Sequence, residues 1–330
     1  MKKKIFIDPG SFYTKVCVLH QDEGEAAYKL FGRSFFPTAA TPAPENADRV
    51  ICHEFGEKRY LVGGDCPNER WDFCDESLAG AQRNKLIGSL VLRKVLFDYS
   101  DSGDEVELSV VVEGPAKRQV FEELCASMTG KLEVVAYRGP QKIRKIVELG
   151  VRVGPASDGV TGYVAKIKSK FDSAMFIDIG FASTKMYVVS AQHGVEKFAI
   201  TEIGARFYSD AIMRALKEEN IEDVEPYWLM KQVELGRKSI EVASKQLDVS
   251  LILENARWDT NKDFRRIATD FVTEYYNTTS KWVGLLVITG GGALFNGELL
   301  SASLAESGYK FDDIYIDKSP LYTVLEGLVS

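Results

Sequence analysis

At 330 residues, with 45% hydrophobic and 27% charged residues, the chain has the apolar content for two domain cores and the balance of a soluble globular protein, which excludes a disordered or fibrous one. A net charge of −7 excludes a surface built to grip nucleic acid all over, although one basic patch or an adaptor stays open. No apolar run reaches the ~18 residues that span a bilayer, and the start Met1-Lys2-Lys3-Lys4 lacks the apolar segment and cleavage site of a signal peptide, so a cytoplasmic protein is expected.

In chain order, residues 6–18 read as two β runs joined by Asp8-Pro9-Gly10-Ser11, a hairpin. The Pro-, Ala- and Asn-rich stretch 29–50 reads as an extended loop. Tyr60-Leu61-Val62-Gly63-Gly64-Asp65 reads as a strand entering a turn, and Leu78, Ala81, Leu86 and Leu90 give 78–97 helical spacing. Glu107-Leu108-Ser109-Val110-Val111-Val112 is a buried-strand run, Gly114-Pro115 starts a helix through Met128, and 134–137 and 147–153 supply further strands. The second half repeats this logic, with a hairpin over 175–200 and an amphipathic helix over 205–219. Pro226 opens a long helix with apolar Leu229, Val233, Ile240, Ala243 and Leu247, and another helix runs over 263–280. Leu285-Leu286-Val287-Ile288 is a short buried strand running into Thr289-Gly290-Gly291-Gly292-Ala293, and 320–328 reads as a terminal helix. Strands alternating with helices predict an α/β protein.

Five cysteines (Cys17, Cys52, Cys66, Cys74, Cys125) are odd in number and unevenly spaced, which fits a reducing compartment. Cys52-His53 with Cys66 and Cys74 matches no zinc-knuckle spacing, so isolated thiols in or near the core are expected.

One segment occurs twice. Residues 6–18 and 176–188 share seven of thirteen positions: Phe6/Phe176, Ile7/Ile177, Asp8/Asp178, Gly10/Gly180, Thr14/Thr184, Lys15/Lys185 and Val18/Val188. A lone Asp-x-Gly usually marks a β-turn; the extended duplication points instead to two similar lobes facing each other across a cleft. Asp8 and Asp178 suit Mg²⁺, which prefers few carboxylates plus water and phosphate oxygens. Gly10 and Gly180 let tip amides approach phosphate, as the tip residues Ser11, Phe12, Tyr13 and Ser183 would. Thr14 and Thr184 offer hydroxyl donors and Lys15 a charge-assisted bond. Gly290, Gly291, Gly292 and Ala293 do not follow the spaced dinucleotide fingerprint, and read as a backbone wall for the adenosine side.

These three segments, in this order and at these separations, resemble the phosphate-1, phosphate-2 and adenosine loops of the actin, sugar kinase and heat-shock chaperone superfamily. Within it the chain is most similar to bacterial and archaeal actin-like proteins of the ParM kind. Supporting pieces are Tyr60-Leu61-Val62-Gly63-Gly64-Asp65, Val110-Val111-Val112-Glu113-Gly114-Pro115, Ile203-Gly204-Ala205-Arg206-Phe207 and Pro320-Leu321-Tyr322 with Gly327-Leu328.

The resemblance implies two ribonuclease-H-like domains flanking a nucleotide cleft. The first would be 1–163 plus 316–330, with a small inserted subdomain around 29–75, and the second 164–315. It implies ATP or ADP with Mg²⁺ held through water by Asp8 and Asp178, and two crossing helices, 159–169 and the terminal one. Gly204 and Ala205 at a helix N-terminus would meet phosphate or ribose oxygens, and Lys231 and Gln232 either line adenine or form a solvated helix face. A hydrolytic residue is expected where the first crossing helix begins. Pro155-Ala156-Ser157-Asp158-Gly159 places Asp158 there, a methylene shorter than the usual Glu, so hydrolysis is expected to be slow or Asp178 to orient the water. Lys185 stands where the family has an acidic residue, as a phosphate contact or a surface charge. The implied function is an ATPase that polymerises head to tail into filaments, segregating plasmid or other DNA through a small DNA-binding adaptor, or positioning a cytoskeleton, with no direct nucleic-acid or membrane contact. The alternatives are an FtsA- or PilM-like assembly protein, although no amphipathic membrane tail is seen before Ser330, and a small-molecule kinase, although no kinase acceptor motif is found.

Overall fold

Both copies of the repeated segment fold as β-hairpins, and around each the chain builds a run of five strands in the same order. The computed structural model describes residues 1–22, 24–44, 47, 50–66, 81–167, 171–190, 192–221 and 224–329. The chain divides into two compact units, Met1–Ala156 and Ser157–Ser330.

The N-terminal unit runs β1 (Lys2–Pro9), β2 (Tyr13–Gln21), β3 (Lys29–Pro37), β4 (Ala40–Pro42), β5 (Ile51–Phe55), β6 (Lys58–Val62), α1 (Ala81–Tyr99), β7 (Glu105–Val111), α2 (Pro115–Met128), β8 (Gly130–Arg138) and β9 (Gln141–Gly154). Its nine strands form one sheet in the order β3-β2-β1-β7-β9-β8-β5-β6-β4. β1 pairs antiparallel with β2 and parallel with β7, and β7 pairs parallel with β9. Leu92, Val95 and Leu96 of α1 and Phe121, Leu124 and Met128 of α2 share a core with Ile5, Ile7 and Val110 of the sheet. Each such side chain contributes ~1.5–3 kcal/mol relative to exposure.

The C-terminal unit continues with α3 (Ala156–Ile167), β10 (Ser173–Ile179), β11 (Thr184–Ser190), β12 (Gly194–Thr201), α4 (Arg206–Glu218), α5 (Pro226–Glu234), β13 (Ser239–Val242), β14 (Lys245–Asp248), α6 (Ser250–Thr279), β15 (Leu285–Thr289), α7 (Ala293–Ala305), β16 (Asp313–Ile316) and α8 (Thr323–Val329). Its main sheet has the order β12-β11-β10-β15-β16. β10 pairs antiparallel with β11 and parallel with β15, which pairs parallel with β16. The first five strands of the N-terminal sheet, β3-β2-β1-β7-β9, have this same order and these same directions. β15 is buried along its whole length because parallel strands flank it on both sides, which explains its unbroken apolar run.

α3 and α8 cross with almost no side chain between them. A Cβ on Gly162 would lie 2.9 Å from the Gly327 carbonyl carbon, and one on Gly327 would lie 2.6 Å from the Tyr163 amide nitrogen. A close-packed helix pair stands where the resemblance implies crossing helices, its first member described over Ala156–Ile167; the expected end at 169 lies outside the described residues.

Four expectations change. The extended loop over 29–50 is in fact strand over Lys29–Pro37 and Ala40–Pro42, paired with β2 and β6. Both prolines fall at strand ends, where a missing N–H costs the ladder little. The long helix from Pro226 stops at Glu234. Gly236 takes φ +65°, and the apolar residues from Ile240 on belong to the β13–β14 hairpin, turned at Ala243 and Ser244, both with positive φ. The helix expected over 263–280 is the second half of a 30-residue helix, α6. The terminal helix begins at Thr323, not Pro320. The helix read over 78–97 is α1, and Leu78 lies outside the described residues. Cys17, Cys52, Cys66 and Cys125 are buried and in no disulfide among the described residues, and Cys74 lies outside them. Among the described residues no helix is long and apolar enough to cross a membrane.

Candidate functional site

The N-terminal tip is closed from within. Asp8 pairs with Lys15 across the β1–β2 ladder, their side chains 2.7 Å apart and each mostly shielded. The Gly10 amide donates to the Asp8 carbonyl at 2.9 Å, and a Cβ there would stand 2.7 Å from the Tyr13 carbonyl oxygen, so only glycine closes this turn. Ser11 is exposed, whereas Phe12 and Tyr13 are buried, their rings edge to face at 4.6 Å. The Phe12 carbonyl accepts from the Thr38 amide, and Lys117, from the first turn of α2, donates to the Pro9 carbonyl.

The C-terminal tip repeats this plan. Asp178 stands opposite Lys185, Oδ2 to Nζ 3.7 Å. The Gly180 amide donates to the Ser183 carbonyl at 2.9 Å, and a Cβ on Gly180 would lie 2.8 Å from that oxygen. The turn before α4 is bolted to this tip. The Ala205 amide donates to the Gly180 carbonyl, the Arg206 amide donates to the Phe181 carbonyl, and a Cβ on Gly204 would lie 2.8 Å from the Ser183 nitrogen. From the other side, β15 brings Thr289 beside Asp178. Gly290 then turns with φ +86°, its amide on the Pro320 carbonyl at 3.1 Å, so close to the Asp178 carboxylate that a Cβ would collide with it. The Gly292 amide closes the turn on the Ile179 carbonyl at 2.8 Å. Phosphate-2 hairpin, Gly204 turn and triple-glycine turn therefore form one packed constellation, with Ala293 opening α7 behind it.

No family model matches the chain, and no curated protein matches it in sequence. Solved structures do match, over the full length. A non-polymerisable ParM quadruple mutant gives a TM-score of 0.70 at 15% identity, covering 100% of this chain and 98% of that one. An archaeal actin homologue in complex with ADP gives 0.69 at 13% identity, over 99% and 97%. ParM from a 15-stranded filament of Clostridium botulinum gives 0.68 at 15% identity, over 99% and 98%. The fold is actin-like.

The geometry also shows where the remaining expected site residues lie. The Gly10, Gly180 and Ala205 amides all donate inside the protein, so these residues shape the tips rather than point donors outward. The Thr14 and Thr184 hydroxyls are buried. Thr14 Oγ1 bonds Thr38 Oγ1 at 2.9 Å, and Thr184 Oγ1 is buried without a protein partner. The ladder register explains this, because Thr14 and Thr184 alternate with Lys15 and Lys185 and so face away from Asp8 and Asp178. Lys185 faces Asp178 as Lys15 faces Asp8. Lys231 Nζ sits 3.1 Å from Glu234, and Gln232 lies half-buried beside it on α5. Asp158 is exposed on the first turn of α3.

Sequence reasoning missed a cavity of about 250 Å³ between α4, α5, α6 and α7, walled by Tyr208, Val233, Leu253 and Phe295, with Arg237 and Arg257 at its rim. The cysteine–histidine group is a core feature. His53 is fully buried, its imidazole pushed down to about 3 by desolvation and by the charges of Lys94 and Arg93, and burial raises the Cys66 thiol to about 12. No cluster of His, Cys, Asp or Glu able to hold a metal occurs among the described residues.

Proposed function

We propose that this chain binds ATP or ADP with Mg²⁺ through its two hairpin tips and the 290–293 turn, hydrolyses ATP slowly, and assembles head to tail into filaments. The observation that carries this reading is the duplication at two levels. An Asp–Lys pair closes the tip of the first hairpin in each unit, and each hairpin opens a run of five strands in the same order. The likeness to an ADP-bound archaeal actin homologue and to a ParM filament supports it. The same reading carries the domain assignment of 1–163 with 316–330, and 164–315.

The residues present fit the nucleotide and its metal. Asp8 and Asp178 are hard oxygen donors suited to Mg²⁺ through water, each with a lysine at hand for phosphate oxygens. The glycine turn at 290–292 packs its backbone directly against Asp178 and Ile179, and the Phe295 cavity suits a base. Bound Mg²⁺ would neutralise charge on the phosphates. Asp178 holds its carboxylate between Lys185 and Gly290, and Asp158 at the start of α3 orients water in this reading. Filament growth follows from a heterologous contact that does not close on itself. Segregation of plasmid or other DNA through a small adaptor, or cytoskeletal positioning, is the role we assign to such a polymer, in the cytoplasm.

Calorimetry with ATP–Mg²⁺ tests the site. Asp8→Ala and Lys15→Ala should each weaken binding roughly ten- to a hundredfold, the worth of one charge-assisted bond of ~1.5–3 kcal/mol. Cys66→Ala should leave binding unchanged. Unchanged affinity in both tip variants overturns the site. Light scattering after addition of ATP–Mg²⁺ tests assembly; a chain that binds ATP yet sediments as a monomer at high concentration overturns the filament and favours the assembly-partner or kinase alternatives.

A further inference from the structure

Behind the triple-glycine turn lies a buried polar chain that sequence reading did not single out. Asp317, at the end of β16, is 6% exposed, and Thr289 and Thr323 are sealed at 0% and 1%. Asp317 Oδ1 accepts from the Ser319 amide at 3.0 Å, its own amide donates to the Ile288 carbonyl, and its Oδ2 accepts from the Thr323 hydroxyl. Thr323 Oγ1 in turn meets Thr289 Oγ1. The Tyr163 hydroxyl of α3 lies beside Asp317.

The carboxylate sets the direction of this chain. A carboxylate only accepts, so the single Thr323 proton goes to Asp317. Thr323 Oγ1 then offers only lone pairs to Thr289, which donates to it. The Pro320 carbonyl, which has two lone pairs, lies 3.0 Å from Thr289 Oγ1 and 3.3 Å from Thr323 Oγ1. It also accepts from the Gly290 amide at 3.1 Å, so it is held between the Gly290 turn and the two buried threonines. That amide bond holds the φ +86° turn packed against Asp178. We propose that Asp317 and Thr323 are positioning residues that hold the Gly290 turn, and through it Asp178, in the geometry that receives nucleotide. Take away the carboxylate or the Thr323 hydroxyl and the 317–323 turn loses the side-chain bonds that fix the Pro320 carbonyl over the Gly290 amide. α3 meets the same network at Tyr163 and α8 enters it through Thr323, so the site is tied to the helix crossing. The inference rests on the reading of this unit as nucleotide-binding.

The test uses the full chain with ATP–Mg²⁺ as probe. Thr323→Val and Asp317→Asn keep side-chain volume and remove, respectively, the relay hydroxyl and the acceptor-only end. Each should weaken ATP–Mg²⁺ affinity about tenfold, the worth of one buried hydrogen bond to a charged group. Thr323→Ser, which keeps the hydroxyl, should restore unmodified affinity. Amide exchange at 289–292 in the nucleotide-free protein should accelerate in Thr323→Val and Asp317→Asn and not in Thr323→Ser. It is compared with exchange at the β10 core amides of the same variant, so that a general loss of stability, which speeds both, is distinguished from local loosening. Variants that melt earlier yet bind ATP–Mg²⁺ as the unmodified chain does, with unchanged exchange at 289–292, overturn the positioning role. An unmodified chain that binds no nucleotide overturns the parent reading instead, and this inference with it.

Discussion

Gly327→Ala tests whether the glycine crossing of α3 and α8 is structural. Intrinsic propensity favours the change, since alanine in a helix interior is better than glycine by ~1 kcal/mol. Packing opposes it. The new Cβ would stand 2.6 Å from the Tyr163 nitrogen and 2.7 Å from the Gly159 carbonyl carbon, where unstrained contacts begin near ~3.5 Å. Both obstacles are backbone of α3, which cannot turn aside as a side chain can. α8 must retreat by on the order of 1 Å, which forfeits a quarter to a half of each contact it makes. Val324 and Leu325, 8% and 1% exposed, lose packing with it. Overpacking at the severe end costs ~3 kcal/mol. Less the propensity gain, the unit should lose about 2 kcal/mol, or ~4–8 °C in melting temperature. Gly150→Ala is the control, because nothing lies within 4 Å of a Cβ there. Three of the four tryptophans, Trp228, Trp258 and Trp282, lie in the C-terminal unit, so in a chain carrying Trp71→Phe tryptophan fluorescence during urea or thermal unfolding reads that unit. A Gly327→Ala chain as stable as Gly150→Ala would refute the argument.

Gly290→Ala should lose ATP–Mg²⁺ binding by more than tenfold, since φ +86° alone costs ~1–2 kcal/mol and the Cβ collides with Asp178. Gly291→Ala, whose Cβ meets only Leu321 at 3.4 Å, should bind within a fewfold, and equal affinities in calorimetry would contradict the cradle. Under the proposed role, in which the exposed Asp158 carboxylate on the first turn of α3 orients water and does not hold nucleotide, Asp158→Ala should keep ATP affinity within a fewfold and lower turnover. Turnover left intact would leave Asp178 as the sole candidate. His53, ordinarily near 6.5 and held at about 3 by burial and by Lys94 and Arg93, contributes stability present above pH 6.5 and lost as pH falls toward 3. His53→Leu should therefore flatten the denaturant-unfolding profile between those limits, and an unaltered slope would show that the acid sensitivity lies elsewhere.

The hairpin tips were legible because everything that defines them is local. Asp-x-Gly between β runs sets a turn within four residues, and the strand that ends in Gly290 carries its glycines in sequence. What was misread depended on distant partners. Residues 29–42 have loop composition and become strands only because β2 and β6 supply ladders. Leu229, Val233, Ile240, Ala243 and Leu247 fit a helical stripe, yet Gly236 and the turn at Ala243-Ser244 break it. The inward aim of Thr14 and Thr184 was readable in principle, since a strand alternates faces and Lys15 and Lys185 already held the outward one. The glycines at the α3–α8 crossing left only the spacing of Gly159 and Gly162 as a signal.

The two hairpins also differ in an informative way. Their shared residues are the Asp–Lys pair, the tip glycine, the inward threonine and the strand cores. Their supports are not shared. Lys117 on α2 and Thr38 hold the first tip, whereas Ala205, Arg206 and the Gly290–Gly292 turn hold the second. Support of a turn can be built from whatever element passes nearby, so it need not repeat between the halves. A carboxylate–ammonium pair on a glycine-closed tip is harder to replace, because charge and close backbone approach must coincide at one point. The repeat thus falls on the chemistry of the tips while their bracing diverges, which is the division expected if both tips meet phosphate.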